Sequence, residues 1–309
     1  MTPNTDLLIT ALAPIIWGST YLVTTEYLPA GYPLTVAMLR ALPVGLLLLL
    51  VVRQLPSGVW WLKITLLGAL NFSLFWWLLF VAAYRLPGGV AATVGAIQPL
   101  IVIVLARVML GSPVRALTVI ASLAGLSGIA ILILSPQEAL DPIGLGAGLV
   151  GAVSMAIGTV LSRRWKPPVS LLTFTAWQLF AGGMLLLPAA IWLEPPLPSL
   201  SQRNLFGFMY LGLIGAAFSY ALWFRGISRL EPSLVSTLGF LSPLTAVVIG
   251  WWVLDQGLGY LQLLGIFIVF MSVWLSQYAS DTTSTLASTR RTRAIPTKKL
   301  LTTQVSINN

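Results

Sequence analysis

RLPGGVAATVGAIQPL, Arg85 to Leu100, has a weaker copy of itself in RLEPSLVSTLGFLSPL, Arg229 to Leu244. At an offset of 144 residues the two share arginine, leucine, threonine, glycine, proline and leucine, six identities in sixteen positions. The same offset carries Leu67-Gly68 onto Leu211-Gly212. Similarity at nearly half the chain length points to a doubled unit rather than a stack of short repeats.

What lies between the copies is apolar. Of 309 residues, 57% are hydrophobic and 8% charged, against roughly 25% charged in an ordinary soluble domain. Such a chain cannot cover its own surface in water, so its solvent is lipid. With no Cys and no His, disulfides, thiol nucleophiles, the usual general base and nearly every transition-metal site are excluded. The first apolar run follows Asp6 directly and lacks a basic leader, so no cleavable signal peptide is expected.

A bilayer core about 30 Å thick needs roughly 20 apolar residues per helix. Ten segments meet that length, near 7–25, 33–52, 62–84, 89–110, 114–134, 143–162, 170–193, 205–227, 232–254 and 259–279. Pro or Gly marks many of the joints, as at Pro29 to Pro33, Pro87 to Gly89 and Pro167-Pro168. The joints are short, which makes consecutive helices antiparallel neighbours.

Lys and Arg set the orientation. Fourteen of the seventeen fall at one set of joints and in the C-terminal stretch, from Arg53 and Lys63 through to Lys298 and Lys299. The alternate joints hold only Arg85 and Arg203, together with Glu26, Glu138, Asp141, Glu194 and Asp255. Both termini are therefore expected in the cytoplasm, and the net charge of +9 is an orientation signal more than a nucleic-acid footprint. Each half holds five spans, an odd number, so the second enters the membrane upside down. The expected fold is an all-α membrane protein, ten transmembrane helices arranged as two inverted five-helix repeats. The repeats occupy 7–134 and 143–279, and 280–309 is a basic cytoplasmic tail whose Ser, Thr and Asn content predicts disorder.

IIWGSTYL (Ile15 to Leu22), the pair Leu39-Arg40, and the two copies quoted above resemble the EamA branch of the drug/metabolite transporter superfamily. VTTEYLP (Val23 to Pro29) is similar to the subgroup associated with export of the blue pigment indigoidine. The resemblance covers residues 7 to 279. It implies two EamA domains of five helices, a cavity between them, and export of small metabolites across the inner membrane.

Several residues are candidates for substrate contact. Arg40 is the only basic residue well inside a span, about 10 Å deep at 1.5 Å per residue. Either it holds a substrate carboxylate or phosphate, or it is a structural pin satisfied by helix-end carbonyls or by Glu26. Trp17 and Tyr21 share a helix face and form either a stacking wall for a planar substrate or ordinary helix packing. Asn71 and Phe75 are an i,i+4 pair. Gln98 and Ser242 are equivalent at offset 144, each directly before a proline, and mark a hinge, a polar patch or both. Tyr220 lies beside the equivalents of Asn71 and Phe75, and Gln178 stands where Arg40 maps if the second span matches the seventh. Uncharged polar residues also link helices, and that alternative stays open for each of them.

Gly146-x-Gly148-x-x-Gly151 spells a dinucleotide fingerprint inside an apolar span, follows no strand, and reads as a helix-packing face. For coupling, either Glu26 or Asp255 is a proton site, or transport follows the substrate gradient, the reading favoured by the absence of His and of mid-span acids. The sequence thus predicts an inner-membrane exporter of a small amphipathic metabolite working by alternating access. Its partners are a small-molecule substrate and the lipid bilayer, with no nucleic acid, no cofactor and no metal, as a monomer or homodimer. A non-transporting partner or sensor subunit and a lipid-acting membrane enzyme are the alternatives. The orientation is tested by reporters fused after Asn309: a fluorescent-protein fusion should glow and an alkaline phosphatase fusion should be inactive. The opposite pattern would reverse the assignment.

Overall fold

The computed structural model describes residues 3–86, 94–133, 141–253 and 260–293, and all regular structure among them is helical. The helices are α1 (Pro3–Tyr27), α2 (Pro33–Val52), α3 (Trp60–Arg85), α4 (Gln98–Leu110) and α5 (Ala116–Ile133). They continue as α6 (Pro142–Trp165), α7 (Leu171–Leu193), α8 (Gln202–Arg229), α9 (Pro232–Leu238 and Leu241–Val253) and α10 (Tyr260–Arg293). Seven of these are long and apolar enough to cross a membrane, while α4, α5 and the Leu263–Ser276 part of α10 offer shorter apolar stretches. The Pro87–Gly89 joint, Glu138 and Asp255 lie outside the described residues.

Local chemistry sets the helix ends. Pro33, Pro99, Pro142 and Pro232 occupy first turns, where no intrahelical N–H is needed. Ser170 caps α7 and Ser201 forms a capping box with Asn204 on α8. The Glu194 carboxylate, beyond the end of α7, accepts from the backbone of Leu34 and Thr35 at 2.7 and 2.8 Å, capping α2 from a distant part of the chain. α10 runs on to Arg293, into the stretch beginning at residue 280. No Pro or Gly falls between 280 and 293, and extending an existing helix avoids the cost of a new nucleus.

The main packing joins the two halves of the chain rather than sequence neighbours. The most extensive interfaces are α2 with α7 and α5 with α10. Extensive interfaces also join α1 with α9 and α8, and α6 with α4 and α3. Exchanging the halves reproduces this set, because α1 then takes the place of α6, and α8 and α9 those of α3 and α4.

Lipid tails are as apolar as leucine, so helices associate in a bilayer through close packing of small residues. α2 and α7 cross on two glycines. A Cβ on Gly183 would lie 2.6 Å from Leu42 Cα, and one on Gly45 would fall on the backbone nitrogen of Phe180. An offset of 138 residues takes Gly45 to Gly183 and Leu42 to Phe180, so the two contacts are the same contact made twice. On α6 the glycine stripe packs as expected: a Cβ on Gly144 would meet Leu86 at 2.7 Å and one on Gly148 would meet Val94 at 2.8 Å. Gly146 stays outside that face, with nothing within 4 Å of its Cβ position.

The ends of the bundle are tied across the halves as well. Arg85 at the end of α3 pairs with Asp141 ahead of α6 at 3.0 Å. Arg229 at the end of α8 pairs with Asp6 in α1 at 3.2 Å, and Arg225 joins it there. The Arg85 guanidinium holds the Asp141 carboxyl below the usual carboxylate range. Tyr84, whose hydroxyl reaches Pro29 O at 3.5 Å, puts the end of α1 beside the Arg85–Asp141 pair, so the two pairs lie at opposite ends of the molecule.

The paired glycines give a stability prediction. Gly45→Ala and Gly183→Ala should each cost about 1–3 kcal/mol through overpacking, and by similar amounts, read as thermal unfolding in detergent. Gly146→Ala should not destabilise. Unequal effects at Gly45 and Gly183 would show that the two contacts are not equivalent.

Candidate functional site

α3 and α8 each contain one stretch of wider winding, Ala69–Leu74 and Leu213–Phe218. The two π-helical stretches are separated by the same 144 residues as the sequence copies. A π turn loosens the carbonyl ladder and leaves oxygens for side chains to satisfy. Ser154 donates to Leu70 O at 2.7 Å, and Ser219 to Gly215 O at 2.9 Å.

Gly215 O also accepts from Arg40 Nη2 at 2.7 Å. Arg40 is 2% exposed, with its guanidinium carbon 4.3 Å from the Trp76 ring centroid. Its Nε has no partner, and among the described residues no carboxylate pairs with it. Glu26, the partner that the sequence offered, instead meets Arg203 at 3.2 Å near the surface. Placing an arginine in a span costs about 2.5–3.5 kcal/mol. One hydrogen bond from a charged group offsets about 1.5–3 kcal/mol, and a desolvated cation–π contact about 2 kcal/mol. The charge therefore persists without a carboxylate.

The equivalent contact in the other half is uncharged. Asn71 Nδ2 in the α3 π stretch donates to Gln178 Oε1 at 2.7 Å. Offsets of 138 and 144 map Arg40 onto Gln178 and Asn71 onto Gly215. Each half thus sends a polar side chain from its second helix to the loosened turn of the other half's third helix. Asn71 and Gln178 are fully buried, meet each other, and lie outside the lining of the cavities described next.

Two cavities adjoin this layer. One, of about 100 Å³, is lined by Trp17, Tyr21, Phe75, Gln98, Trp223 and Ser242 among others. The other, of about 80 Å³, is bounded by Trp17, Thr20, Tyr21, Arg40, Trp76 and Tyr220, with Phe75 and Ser242 again in its wall. Of the nine residues singled out from sequence, Trp17, Tyr21, Arg40, Phe75, Gln98, Tyr220 and Ser242 meet around this space. Aromatic rings dominate it. Trp17 lies 4.7 Å from Tyr220 and 5.0 Å from Trp223, and Trp76 donates to Tyr220 OH at 3.1 Å.

A hydrogen-bonded chain runs from Trp17, in the wall of both lobes, to Arg40 in the smaller one: Trp17 Nε1 donates to Ser219 Oγ at 2.8 Å, and Ser219 donates to the carbonyl that holds Arg40. Helix breaks flank the space. α4 starts at Gln98-Pro99 after a turn at Ala96-Ile97, and α9 is interrupted at Gly239-Phe240 just before Ser242-Pro243. Both prolines sit where a new helix begins, so the bond each cannot make was never required.

Sequence reasoning missed Thr20, Trp76 and Trp223. The signal for Trp76 was present: the offset of 144 takes it onto Tyr220, and the two equivalent residues touch each other. No acidic side chain lines either cavity among the described residues. Glu26 stands at the surface, and Asp255 is outside the described residues.

The EamA-like transporter family matches residues 5–134 and 142–278, two segments that coincide with the two halves. Protein PecM of Dickeya dadantii is 46% identical over 86% of this chain and 90% of its own length. The inner membrane transporter YedA of Escherichia coli K12 is 31% identical, with 84% and 87% of the two chains covered. A WAT1-related chloroplastic protein of Arabidopsis thaliana is 29% identical over 85% of this chain and 67% of its own. A solved crystal structure shares the fold with a TM-score of 0.76 at 19% identity, covering 88% of this chain and 98% of that one. Its helices, their pairing and these relatives agree: the chain is a multi-pass membrane protein that belongs to the EamA-like transporter family.

Proposed function

We propose that the chain exports a small amphipathic metabolite across the inner membrane by alternating access between two inverted five-helix repeats. The observation that carries the reading is the cavity, because equivalent residues of both halves converge on it. Gln98 and Ser242, equivalent at offset 144, both line the larger lobe. Trp76 and Tyr220, equivalent in the same way, both line the smaller one. A solute in this space touches both halves at once, which is what coupling its passage to their relative motion requires.

The arrangement of the ends supports the same mechanism. Opening one end means parting Arg85 from Asp141, and opening the other means parting Asp6 from Arg225 and Arg229. The broken starts of α4 and α9 and the π stretches of α3 and α8 are the places where backbone can flex without losing whole runs of hydrogen bonds. Cavities of about 100 and 80 Å³ are small beside the roughly 300–1,000 Å³ of drug-sized sites. The site therefore opens further when it loads. The lack of a described acid in the lining favours transport down the substrate gradient over proton coupling at this site. YedA is described as an inner membrane transporter, which supports the location.

The test is to compare intracellular and medium metabolites in a deletion strain and its overexpressing counterpart. The expected result is at least one small amphipathic compound that accumulates inside the deletion strain and outside the overexpressing one. Trp17→Ala at normal membrane abundance should lower that efflux at least fivefold. Identical metabolite profiles across the strains would contradict the reading.

A further inference from the structure

We propose that the substrate is a small organic monoanion with a planar apolar body and no ammonium group, its anionic end held by Arg40 in the smaller lobe. This rests on the transporter reading above and gives it a substrate class.

The smaller lobe offers hydrogen-bond donors in excess. Arg40 carries five N–H donors, of which one reaches Gly215 O, while its buried Nε has no partner. The Thr20 hydroxyl on the same wall is buried and also unpartnered. Tyr220 OH accepts from Trp76 and keeps its own proton to donate. In the larger lobe, Gln98 Nε2 and Trp223 Nε1 are likewise buried donors without partners. A ligand that satisfies this set must be rich in acceptors, and a carboxylate or similar oxyanion is the group that fits a guanidinium best.

Charge balance narrows the class. The acids whose side chains the structure describes are committed elsewhere: Asp6 to Arg225 and Arg229, Glu26 to Arg203, Asp141 to Arg85, Glu231 to Arg115, and Glu194 to the start of α2. None is left to neutralise Arg40, and none faces the cavity to receive an ammonium. One guanidinium asks for one negative charge. A zwitterionic amino acid would bring a second charge into an aromatic wall with nothing to meet it. The rest of the ligand lies against Trp17, Phe75, Trp223 and Phe240, which favour a flat apolar body.

The test uses the purified full-length protein with matched series on phenyl, naphthyl and cyclohexyl bodies, each as the acetate, the acetamide and the corresponding α-amino acid. Binding is read as a thermal shift and by calorimetry, and transport by counterflow in proteoliposomes. At least one acetate should bind ten or more times tighter than its acetamide and its amino acid, and an aromatic body should outrank cyclohexyl. Arg40→Gln should lose that preference, Arg40→Lys should keep part of it, and Thr20→Val should weaken acetate binding two- to fivefold. If Arg40→Gln does not reach the membrane, the comparison of acetate with acetamide on the wild-type protein decides.

Equal binding and transport of an acetamide would overturn the anion assignment and leave the transporter reading intact. So would a preference for an amino acid. Absence of binding by every acetate would also overturn it, and the metabolite comparison would then judge the transporter reading alone.

Discussion

A guanidinium buried in an apolar bundle, with a single backbone carbonyl and an aromatic face for company, is the interaction around which this protein is arranged. Arg40 can reach Gly215 O because α8 widens into a π turn there, and Trp76 can lie against it because α3, which carries it, packs on α2. Remove the widened turn and that carbonyl returns to its helix. The charge would then be stranded in a medium where stranding is costly. The same geometry leaves donors of Arg40 unused beside a cavity.

Two halves with related sequences do not have to use related contacts, but these do. The glycine crossing of α2 and α7 is one contact made twice. The polar link to a π turn is made by Arg40 in one direction and by Gln178 with Asn71 in the other. The charged version lines the cavity and the amide version is buried in packing.

Much of this was legible in the sequence, and the reason is physical. Lipid demands long apolar runs, and the runs are visible as letters. The offset of 144 pairs Gln98 with Ser242 from the letters alone, and both line the larger lobe. The repeat also placed Trp76 opposite Tyr220, although the sequence reading passed over it. The partner of Arg40 was not legible: the acceptor is a backbone carbonyl exposed by a π turn, and a backbone oxygen has no letter. Asn71 and Gln178 are polar in apolar spans, as cavity residues would be, and the structure joins them by one hydrogen bond away from the two cavities. Short joints make consecutive helices neighbours without ranking the interfaces, and the largest interfaces run across the halves.

The central claim is that the two halves rock against each other, opening one end as the other closes. The chain has no cysteine, so spin labels can be placed at introduced cysteines without first removing native ones. Labels at Thr25 and Ile143 report on the end that holds the Arg85–Asp141 pair, and labels at Leu8 and Arg164 report on the end that holds Asp6. Double electron–electron resonance in lipid nanodiscs, with and without a transported ligand, measures both distances. The account predicts that ligand shifts the two distributions in opposite senses, one lengthening as the other shortens. Two distances that stay fixed, or that lengthen together, would contradict it.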